Sequence, residues 1–390
     1  MQSAPTITYV VFLIFAGTAV LSTMALFTRQ SLLVAYIALG AILGPWGLQL
    51  VNNSQIISQA GDIGIIFLLF LLGLDLQPQN LFHSLRKMSL ITLSSSILFF
   101  IIGFVTSHLF GYNFDESLVI GIAAAFSSTI IGIKLLPTTI LHHQHTGELV
   151  VSILLLQDIM AIAVLLGLEV IANRSSSFHH LGLIISSFPI LIFVAYVFQQ
   201  YVLTWLMKRF DQIHEYIFIL SIGWCLCMAE LSHFLGLSEE IGAFIAGVTL
   251  ASNPIASYIA ESLKPLRDFF LVIFFFSIGA TFSFGYIGSV YVAACTLAAL
   301  ILVIKPYIFS WLLRQSGELK NVSWEIGVRL GQMSEFSLLV IYMALETHVL
   351  RAEATYMAEA AIIMTFIVSC YWTVMCYPTP LAATAKLRRD

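Results

Sequence analysis

Two ionisable side chains of opposite charge lie deep inside apolar segments of the sequence, where a charge is costly. Asp158, preceded by Gln157, sits in the middle of one apolar run, and Lys305 sits deep in another. A charged group near the centre of a bilayer costs roughly 2.5 to 3.5 kcal/mol on insertion scales, so such residues usually mark function. Burial favours the protonated form of a carboxyl, whereas a nearby ammonium favours the ionised form. We therefore expect Asp158 to bind a proton or a cation in competition, with Lys305 as its alternative partner.

Hydroxyl groups interrupt a third apolar run at Ser127, Ser128 and Thr129. Together with backbone carbonyls freed where a helix unwinds, they are the hard oxygen ligands that coordinate K⁺ or Na⁺. Gln157 supplies a further oxygen without adding charge, so a single titrating carboxylate predicts exchange of one proton for one cation. Two simpler interpretations stay open: the two buried charges form a structural ion pair, and the small hydroxyl residues only allow helices to pack closely.

The composition indicates where these residues must lie. Of the 390 residues, 59% are hydrophobic and only 10% are charged, and the mean hydropathy is +0.96. Soluble domains carry about a quarter charged residues, so a soluble globular protein is excluded. Apolar runs of about 20 residues, enough to cross a bilayer, recur along the whole chain and predict an all-α integral membrane protein of about thirteen transmembrane helices. The predicted spans cover residues 7–27, 31–50, 55–76, 88–110, 116–137, 148–172, 181–206, 213–235, 239–252, 268–282, 286–313, 322–347 and 354–377.

Basic residues sort to one side of these spans. An odd number of spans places the termini on opposite sides, and with the N-terminus outside most of the 17 lysines and arginines face the cytoplasm. Only Arg174 and Arg351 face outward, while Lys134, Lys305 and Arg329 lie inside spans. The positive-inside rule therefore predicts a multi-pass protein of the plasma or inner membrane, with the N-terminus outside and the C-terminus in the cytoplasm.

A weak internal sequence repeat, called the echo below, relates the two halves of the chain. Phe70–Gly73 resembles Phe276–Gly279, and Ser128 occupies the position that Ser334 occupies in the second half. Six spans, one linker span and six further spans would place the two halves in opposite orientations. The echo pairs the fifth span with the twelfth, and we predict helix breaks near Ser128 and Ser334.

The domain organisation follows from this echo. We predict a single transmembrane transporter domain over residues 1–390, in which one repeat covers about 1–172, a linker helix covers about 181–206 and an inverted repeat covers about 213–377.

Short motifs follow one another along the chain in an order that resembles one known family. The motifs are Gly44-Pro45-Trp46-Gly47-Leu48, Gly61-Asp62-Ile63-Gly64, Leu72-Gly73-Leu74-Asp75-Leu76, Phe126-Ser127-Ser128-Thr129, Leu156-Gln157-Asp158-Ile159, Gly242-Ala243-Phe244-Ile245-Ala246-Gly247, Phe275-Phe276-Ser277-Ile278-Gly279 and Gly331-Gln332-Met333-Ser334-Glu335-Phe336. The ordered set resembles the second monovalent cation/proton antiporter family, and within it the Kef-type potassium efflux antiporters. Its most specific motif is the Gln-Asp pair, because relatives with Asn-Asp or Asp-Asp there are more often sodium/proton exchangers.

The resemblance implies both a fold and a site. It implies a sodium/proton antiporter-like fold of inverted six-helix repeats, with a dimerisation domain and a mobile core in which two discontinuous helices cross beside Asp158. It also implies that Asp158 binds the ion, that Gln157 and residues 127–129 help to coordinate it, and that Lys305 competes with it.

Further charged residues take supporting roles in this picture. Glu335 would steady the crossover, and Arg329 and Lys134 would balance charge. Lys134 stands where the family has an uncharged residue; it would either offset the dipole of a half-helix or pair with Glu335. Kef-type proteins continue into a cytoplasmic nucleotide-binding domain that is not among these residues. That domain is either lost, removed or supplied by another chain, so a separate cytoplasmic regulatory subunit is a candidate partner.

Electroneutral exchange of K⁺ for H⁺ is the function that these residues favour, with Na⁺/H⁺ antiport as the runner-up. A ligand-gated K⁺ efflux channel is a more distant alternative, because the sequence has no filter-like Thr-Val-Gly-Tyr-Gly segment. We expect a transporter rather than an enzyme, with no cofactor beyond the transported ions and no metal other than a monovalent cation at Asp158. The expected partners are the lipid bilayer and a second copy in a homodimer, and no nucleic acid.

Overall fold

A computed structural model describes residues 7–51, 54–75, 78–137, 145–172, 178–210, 212–251, 253 and 256–380. Over these residues the chain is mostly helical. The helices are α1 (Ile7–Phe27), α2 (Leu32–Leu43), α3 (Ser54–Asp75), α4 (Pro78–Leu109), α5 (Phe114–Ala125), α6 (Thr129–Lys134), α7 (His145–Ala172), α8 (Phe178–Phe198), α9 (Thr204–Arg209), α10 (His214–Phe234), α11 (Glu239–Ala251), α12 (Ala256–Thr281), α13 (Ile287–Gln315), α14 (Lys320–Arg329), α15 (Glu335–Glu346) and α16 (Ala352–Cys376). A short π-helical segment, Gln199–Leu203, joins α8 to α9.

Each predicted span overlaps one or more of these helices. The bounds differ most at α4, which begins at Pro78 where the span was predicted to begin at residue 88, and at α12, which begins at Ala256 where the span was predicted to begin at residue 268. The fifth span is broken into α5 and α6 and the twelfth into α14 and α15, so the breaks predicted near Ser128 and Ser334 are confirmed. By length and composition alone, eight helical segments of the described residues are long and apolar enough to cross a membrane, and one of them, Phe114–Ile133, continues across the break between α5 and α6. The apolar segments Leu32–Leu43 and Gln59–Leu74 are shorter.

One of two compact units includes α3 and α8 to α12. Within it α3 packs along α11 and α12. At the closest approach, a side chain on Gly73 of α3 or on Gly247 of α11 would collide with the backbone of the other helix. Ser277 Oγ of α12 also donates a hydrogen bond to Ile57 O of α3, at 3.0 Å. Small residues thus let the helices of this unit pack closely, as is usual in membranes.

The other compact unit includes α5 and α6, most of α7, and α13 to α16. Helix α13 packs against α14 and α16, and α15 packs against α5 and α16. The apolar core of this unit includes Phe99, Ile153, Phe309 and Leu330, and the rings of Phe99 and Phe309 meet edge to face at 5.1 Å between centroids. All of the predicted ion-site residues belong to this unit.

Each compact unit draws residues from both halves of the chain. The division into sequential inverted repeats at residues 1–172 and 213–377 stays a prediction.

Candidate ion-binding site at two helix breaks

The first helix break lies between α5 and α6. Helix α5 ends at Ala125, Phe126 and Ser128 have extended backbone conformations, and α6 begins at Thr129. Ser128 caps α6, because its Oγ accepts a hydrogen bond from Ile131 N at 3.1 Å. The break interrupts the helical hydrogen-bond ladder, so backbone groups in it are available to other partners.

The second break lies between α14 and α15 and is held by α16. Ser334 caps α15 with its side-chain oxygen. From α16, Thr365 Oγ1 accepts a hydrogen bond from Met333 N at 3.1 Å. Ser369 Oγ donates to the side-chain carbonyl of Gln332 at 2.8 Å. Helix α16 therefore holds this break with two neutral hydroxyl groups, one on the backbone N–H of Met333 and one on the side chain of Gln332.

The two breaks contact each other directly. Ser127 Oγ donates to Leu330 O at 2.9 Å, and Gln332 Nε2 donates to Ser128 O at 3.5 Å. The discontinuous helices therefore meet at their interruptions, as the family resemblance implied.

Gln157 and Asp158 of α7 both face the first break. Gln157 Oε1 accepts from Ser127 N at 3.0 Å, and Gln157 Nε2 donates to Ala125 O at 3.3 Å. Thr129 Oγ1 lies 3.0 Å from Asp158 Oδ1 and 3.1 Å from Oδ2, so its hydroxyl donates to the carboxylate. Gln157 and Asp158 are almost fully buried. The structure thus brings the predicted carboxylate, amide and hydroxyl groups together.

Gln157 has a structural task besides the predicted one. Its amide replaces hydrogen bonds that the broken helix has lost, by serving one N–H and one carbonyl of the break. An amide oxygen can accept a second bond. Gln157 therefore stabilises the break through two backbone hydrogen bonds. Its amide oxygen can still accept one more bond, which is the position where the prediction places a cation.

Lys305 lies at the crossing and donates hydrogen bonds to both breaks. Its Nζ donates to Phe126 O at 2.6 Å, to Gln332 O at 3.1 Å and to Ser127 Oγ at 3.5 Å. The ammonium also lies 4.9 Å from the centre of the Phe99 ring. One carbonyl from each break therefore binds the ammonium in this conformation. The competition between Lys305 and a cation for Asp158 stays a prediction.

Glu335 binds the side of the first break at which α6 begins, whereas Lys305 binds the side at which α5 ends. Its Oε1 accepts a hydrogen bond from Ile130 N in the first turn of α6, at 3.0 Å, and the side chain is 7% exposed. A negative charge stabilises a helix N-terminus, just as a positive charge stabilises carbonyls at a C-terminus. Glu335 thus complements the amide end of α6, while Lys305 complements the carbonyl end of α5.

Arg329 makes its contacts away from the carboxylate. Its Nε donates to Glu325 Oε1 at 2.9 Å, and Nη1 donates to Leu135 O, just after α6, at 3.1 Å. Its Nη2 donates to Pro378 O, beyond α16, at 3.0 Å, and the guanidinium lies 5.5 Å from the Tyr377 ring centre. Arg329 therefore ties the far end of α6 to the end of α16.

The structure does not describe the side chain of one predicted site residue, and it adds several contacts that were not predicted. The side chain of Lys134 lies outside the described residues, so its role stays a prediction. Sequence reasoning missed the contacts of Phe99, Gln332, Thr365 and Ser369. Gln332, Thr365 and Ser369 carried a usable signal, since each is a polar side chain within an apolar run. Phe99 carried none, because a phenylalanine in a transmembrane helix is unremarkable.

The fold defines the class of protein. The structure is similar to that of the sodium proton antiporter MjNhaP1 from Methanocaldococcus jannaschii, with a TM-score of 0.69 over 94% of this chain and 95% of that chain. The two sequences are only 16% identical, so this likeness shows the fold alone. The chain is thus a multi-pass membrane protein with the fold of a cation/proton antiporter.

The sequence comparisons show the family. Residues 10–376 match the family described as sodium/hydrogen exchanger, transmembrane, and the chain therefore belongs to the sodium/hydrogen exchanger family. It is 28% identical to K(+) efflux antiporter 5 from Arabidopsis thaliana over 88% of this chain. It is 29% identical to the glutathione-regulated potassium-efflux system protein KefC from Salmonella arizonae over 96% of this chain. The chain spans 61% and 62% of the length of these two relatives. The resemblance to Kef-type antiporters is thereby confirmed.

Proposed function

We propose that the protein exchanges K⁺ for H⁺ across a membrane, one for one, by competition of the two ions for Asp158. The observation that carries this proposal is a buried carboxylate facing a helix break, with a hydroxyl 3.0 Å away. A carboxylate, a hydroxyl, an amide oxygen and free backbone carbonyls are the ligands that a partly dehydrated monovalent cation needs.

The exchange follows from charge balance in a dry site. An ionised Asp158 needs a cation nearby, whereas a protonated Asp158 is neutral and needs none. Binding a proton therefore expels the cation, and binding the cation expels the proton. Because Gln157 is neutral, one carboxylate titrates and each cycle moves no net charge.

Lys305 acts as the internal competitor in this scheme. In the conformation described, the carbonyls of Phe126 and Gln332 hold its ammonium. When both ions have left the site, the ammonium moves toward Asp158 and neutralises it. Both carbonyls belong to the breaks, so this movement changes the crossover as well as the site.

The relatives support K⁺ as the cation. K(+) efflux antiporter 5 and KefC are named for potassium efflux, and both match most of this chain. Na⁺/H⁺ antiport is the second candidate, because the family is that of sodium/hydrogen exchangers and the similar solved structure is a sodium proton antiporter.

The cellular setting extends the proposal. It places the protein as a homodimer in the plasma or inner membrane. The orientation with the N-terminus outside and the C-terminus in the cytoplasm agrees with the distribution of basic residues. A cytoplasmic regulatory partner is part of the proposal, because the relative KefC is named as glutathione-regulated.

Proteoliposomes that contain a pH-sensitive dye test the function. An outward K⁺ gradient should acidify the lumen through wild-type protein, faster than equal gradients of Na⁺ or Li⁺, and an imposed membrane potential should not change the initial rate. Asp158→Asn serves as the inactive control. A faster response to Na⁺ would select the second candidate, and a rate that follows the potential would contradict one-for-one exchange. A wild-type protein that moves no cation against protons would overturn the proposal.

A further inference from the structure

Helix α16 carries a line of buried polar side chains. They are Thr355, Glu359, Thr365, Ser369 and Thr373, and each is at most 7% exposed. Their spacing places all of them on one face of a helix with 3.6 residues per turn. This polar line extends along most of α16 and is longer than the contact with the second break requires.

The middle of the polar line connects to the crossover. Thr365 accepts a hydrogen bond from Met333 N, and Ser369 donates one to the side chain of Gln332. Gln332 Nε2 in turn donates to Ser128 O in the first break. A continuous series of hydrogen-bonding groups therefore leads from α16 to the break that faces the ion-binding carboxylate.

Two members of the line have a buried oxygen without a hydrogen-bond partner among the described residues, Glu359 and Thr373, and Glu359 is the only carboxylic acid among the five. Its Oε2 is buried and has no hydrogen-bond partner among the described residues. Thr365 follows it by six positions, about 9 Å along the helix axis at 1.5 Å per residue. A carboxylic acid kept only for packing would be replaced at no loss by an apolar side chain, because its burial is costly without a partner. A buried carboxylic acid without a hydrogen-bond partner therefore indicates a group that binds a proton or a cation during the transport cycle.

The groups around Glu359 do not neutralise it. Tyr356, one turn earlier, interacts with it electrostatically and stacks on Tyr286 at 5.1 Å between ring centroids. Phenols are uncharged near neutral pH, so these two rings offer no counter-charge. The other titratable or charged residues of α16 and of the helices packed on it are Tyr291, Cys295, Lys305, Tyr307, Arg314, Lys320, Glu325, Arg329, Glu335, Tyr342, Glu346, Glu353, Cys370, Tyr371 and Cys376.

We propose that Glu359 is a second proton-binding site, which takes up and releases protons at the end at which α16 begins. That end is the outer one in the proposed orientation, and the inference rests on the proposed exchange of a cation for protons. A proton forms an O–H bond at Oε2 and later returns from that oxygen to water at the end of α16 where it entered, so Glu359 returns to its starting state in each cycle. This second site therefore leaves the ratio at one proton per cation.

The test compares Glu359→Gln with Glu353→Gln in proteoliposomes over a range of outer pH. Glu353 lies on the first turn of the same helix and serves as the matched control. We expect the exchange rate of Glu359→Gln to depend less steeply on outer pH than that of wild type, because one titrating group is lost. The half-saturating K⁺ concentration should stay unchanged. Glu359→Asp, which keeps the carboxyl, should restore the wild-type profile. A Glu359→Gln profile that coincides with wild type would overturn the inference.

A second measurement decides the question if Glu359→Gln does not fold. Dicyclohexylcarbodiimide adds to carboxylic acids in apolar surroundings to give a stable acylurea, and only the protonated form reacts. Mass spectrometry of wild-type peptides should find Glu359 modified at acidic pH, with the yield falling as the pH rises. A yield that does not change with pH, or no modification at any pH, would contradict proton binding there. This labelling requires no transport, so the inference can fail or hold independently of the proposed function.

Discussion

The two helix breaks share a backbone plan but differ in what their side chains contact. At each break a helix ends, extended residues follow, and a serine caps the next helix. The first break faces Gln157 and Asp158 of α7, whereas the second faces Thr365 and Ser369 of α16. The first break therefore meets a carboxylate and an amide on α7, whereas the second meets hydroxyl groups on α16.

This difference separates ion binding from support. A cation needs a negative charge and several oxygens, and the described contacts bring these together at the first break. The α16 hydroxyls at the second break bind the Met333 N–H and the Gln332 side chain without adding a charge. Lys305 links the two, because it binds one carbonyl from each. We expect substitutions at the first break to change exchange and substitutions at the second to change stability.

The largest expected effect belongs to Asp158. Asp158→Asn should abolish exchange, because a neutral amide neither releases a proton nor offers a full negative charge to a dehydrated cation. The counterpart at the second break, Ser369→Ala, should retain exchange in the same proteoliposome assay. Comparable loss of exchange in both variants, with both folded, would show that the two breaks are not functionally distinct.

Lys305→Gln should have the next largest effect, on both stability and pH dependence. The carbonyls of Phe126 and Gln332 would lose a charged donor, and each buried carbonyl left without a partner costs about 1 to 3 kcal/mol. The melting temperature should therefore fall. If the ammonium competes for Asp158, the activity profile should also move to higher pH, because the carboxyl then keeps its proton longer as the pH rises. An unshifted profile in a less stable protein would restrict Lys305 to anchoring the breaks.

A matched pair of threonines should show the smallest effect. Thr129→Val removes a hydroxyl that contacts Asp158, and hydrogen bonds to charged groups contribute about 1.5 to 3 kcal/mol. We therefore expect the half-saturating K⁺ concentration to rise about tenfold to a hundredfold. Thr365→Val leaves Met333 N without its acceptor and should lower the melting temperature while leaving that concentration unchanged. If Thr365→Val raised the half-saturating K⁺ concentration and Thr129→Val lowered only the melting temperature, the second break would be the one that binds the ion.

Much of the fold could be predicted from the sequence, because a bilayer imposes simple rules. The length of apolar runs fixes the spans, and hydroxyl and amide groups within them mark the breaks. Asp158 and Gln157 were identifiable for the same reason, since polar groups at that depth are costly.

The pairing of charges could not be predicted. Sequence position does not reveal that Lys305 would find two backbone carbonyls, because those carbonyls become available only once both helices break and cross. Arg329 was placed near the site by its proximity to Gly331 along the chain, yet its contacts are with Glu325, Leu135 and Pro378. Glu359 was overlooked because a single glutamate in the last span has no neighbour in the sequence that hints at its isolation.

The half-saturating K⁺ concentration, measured in proteoliposomes across a series of pH values, tests most directly whether protons and K⁺ compete for Asp158. With one shared carboxylate, this concentration should rise about tenfold for each unit of pH below the titration of that group, while the maximal rate of exchange at saturating K⁺ persists. A half-saturating concentration that does not depend on pH, with a maximal rate that falls instead, would show that the two ions bind at separate sites and would contradict the account.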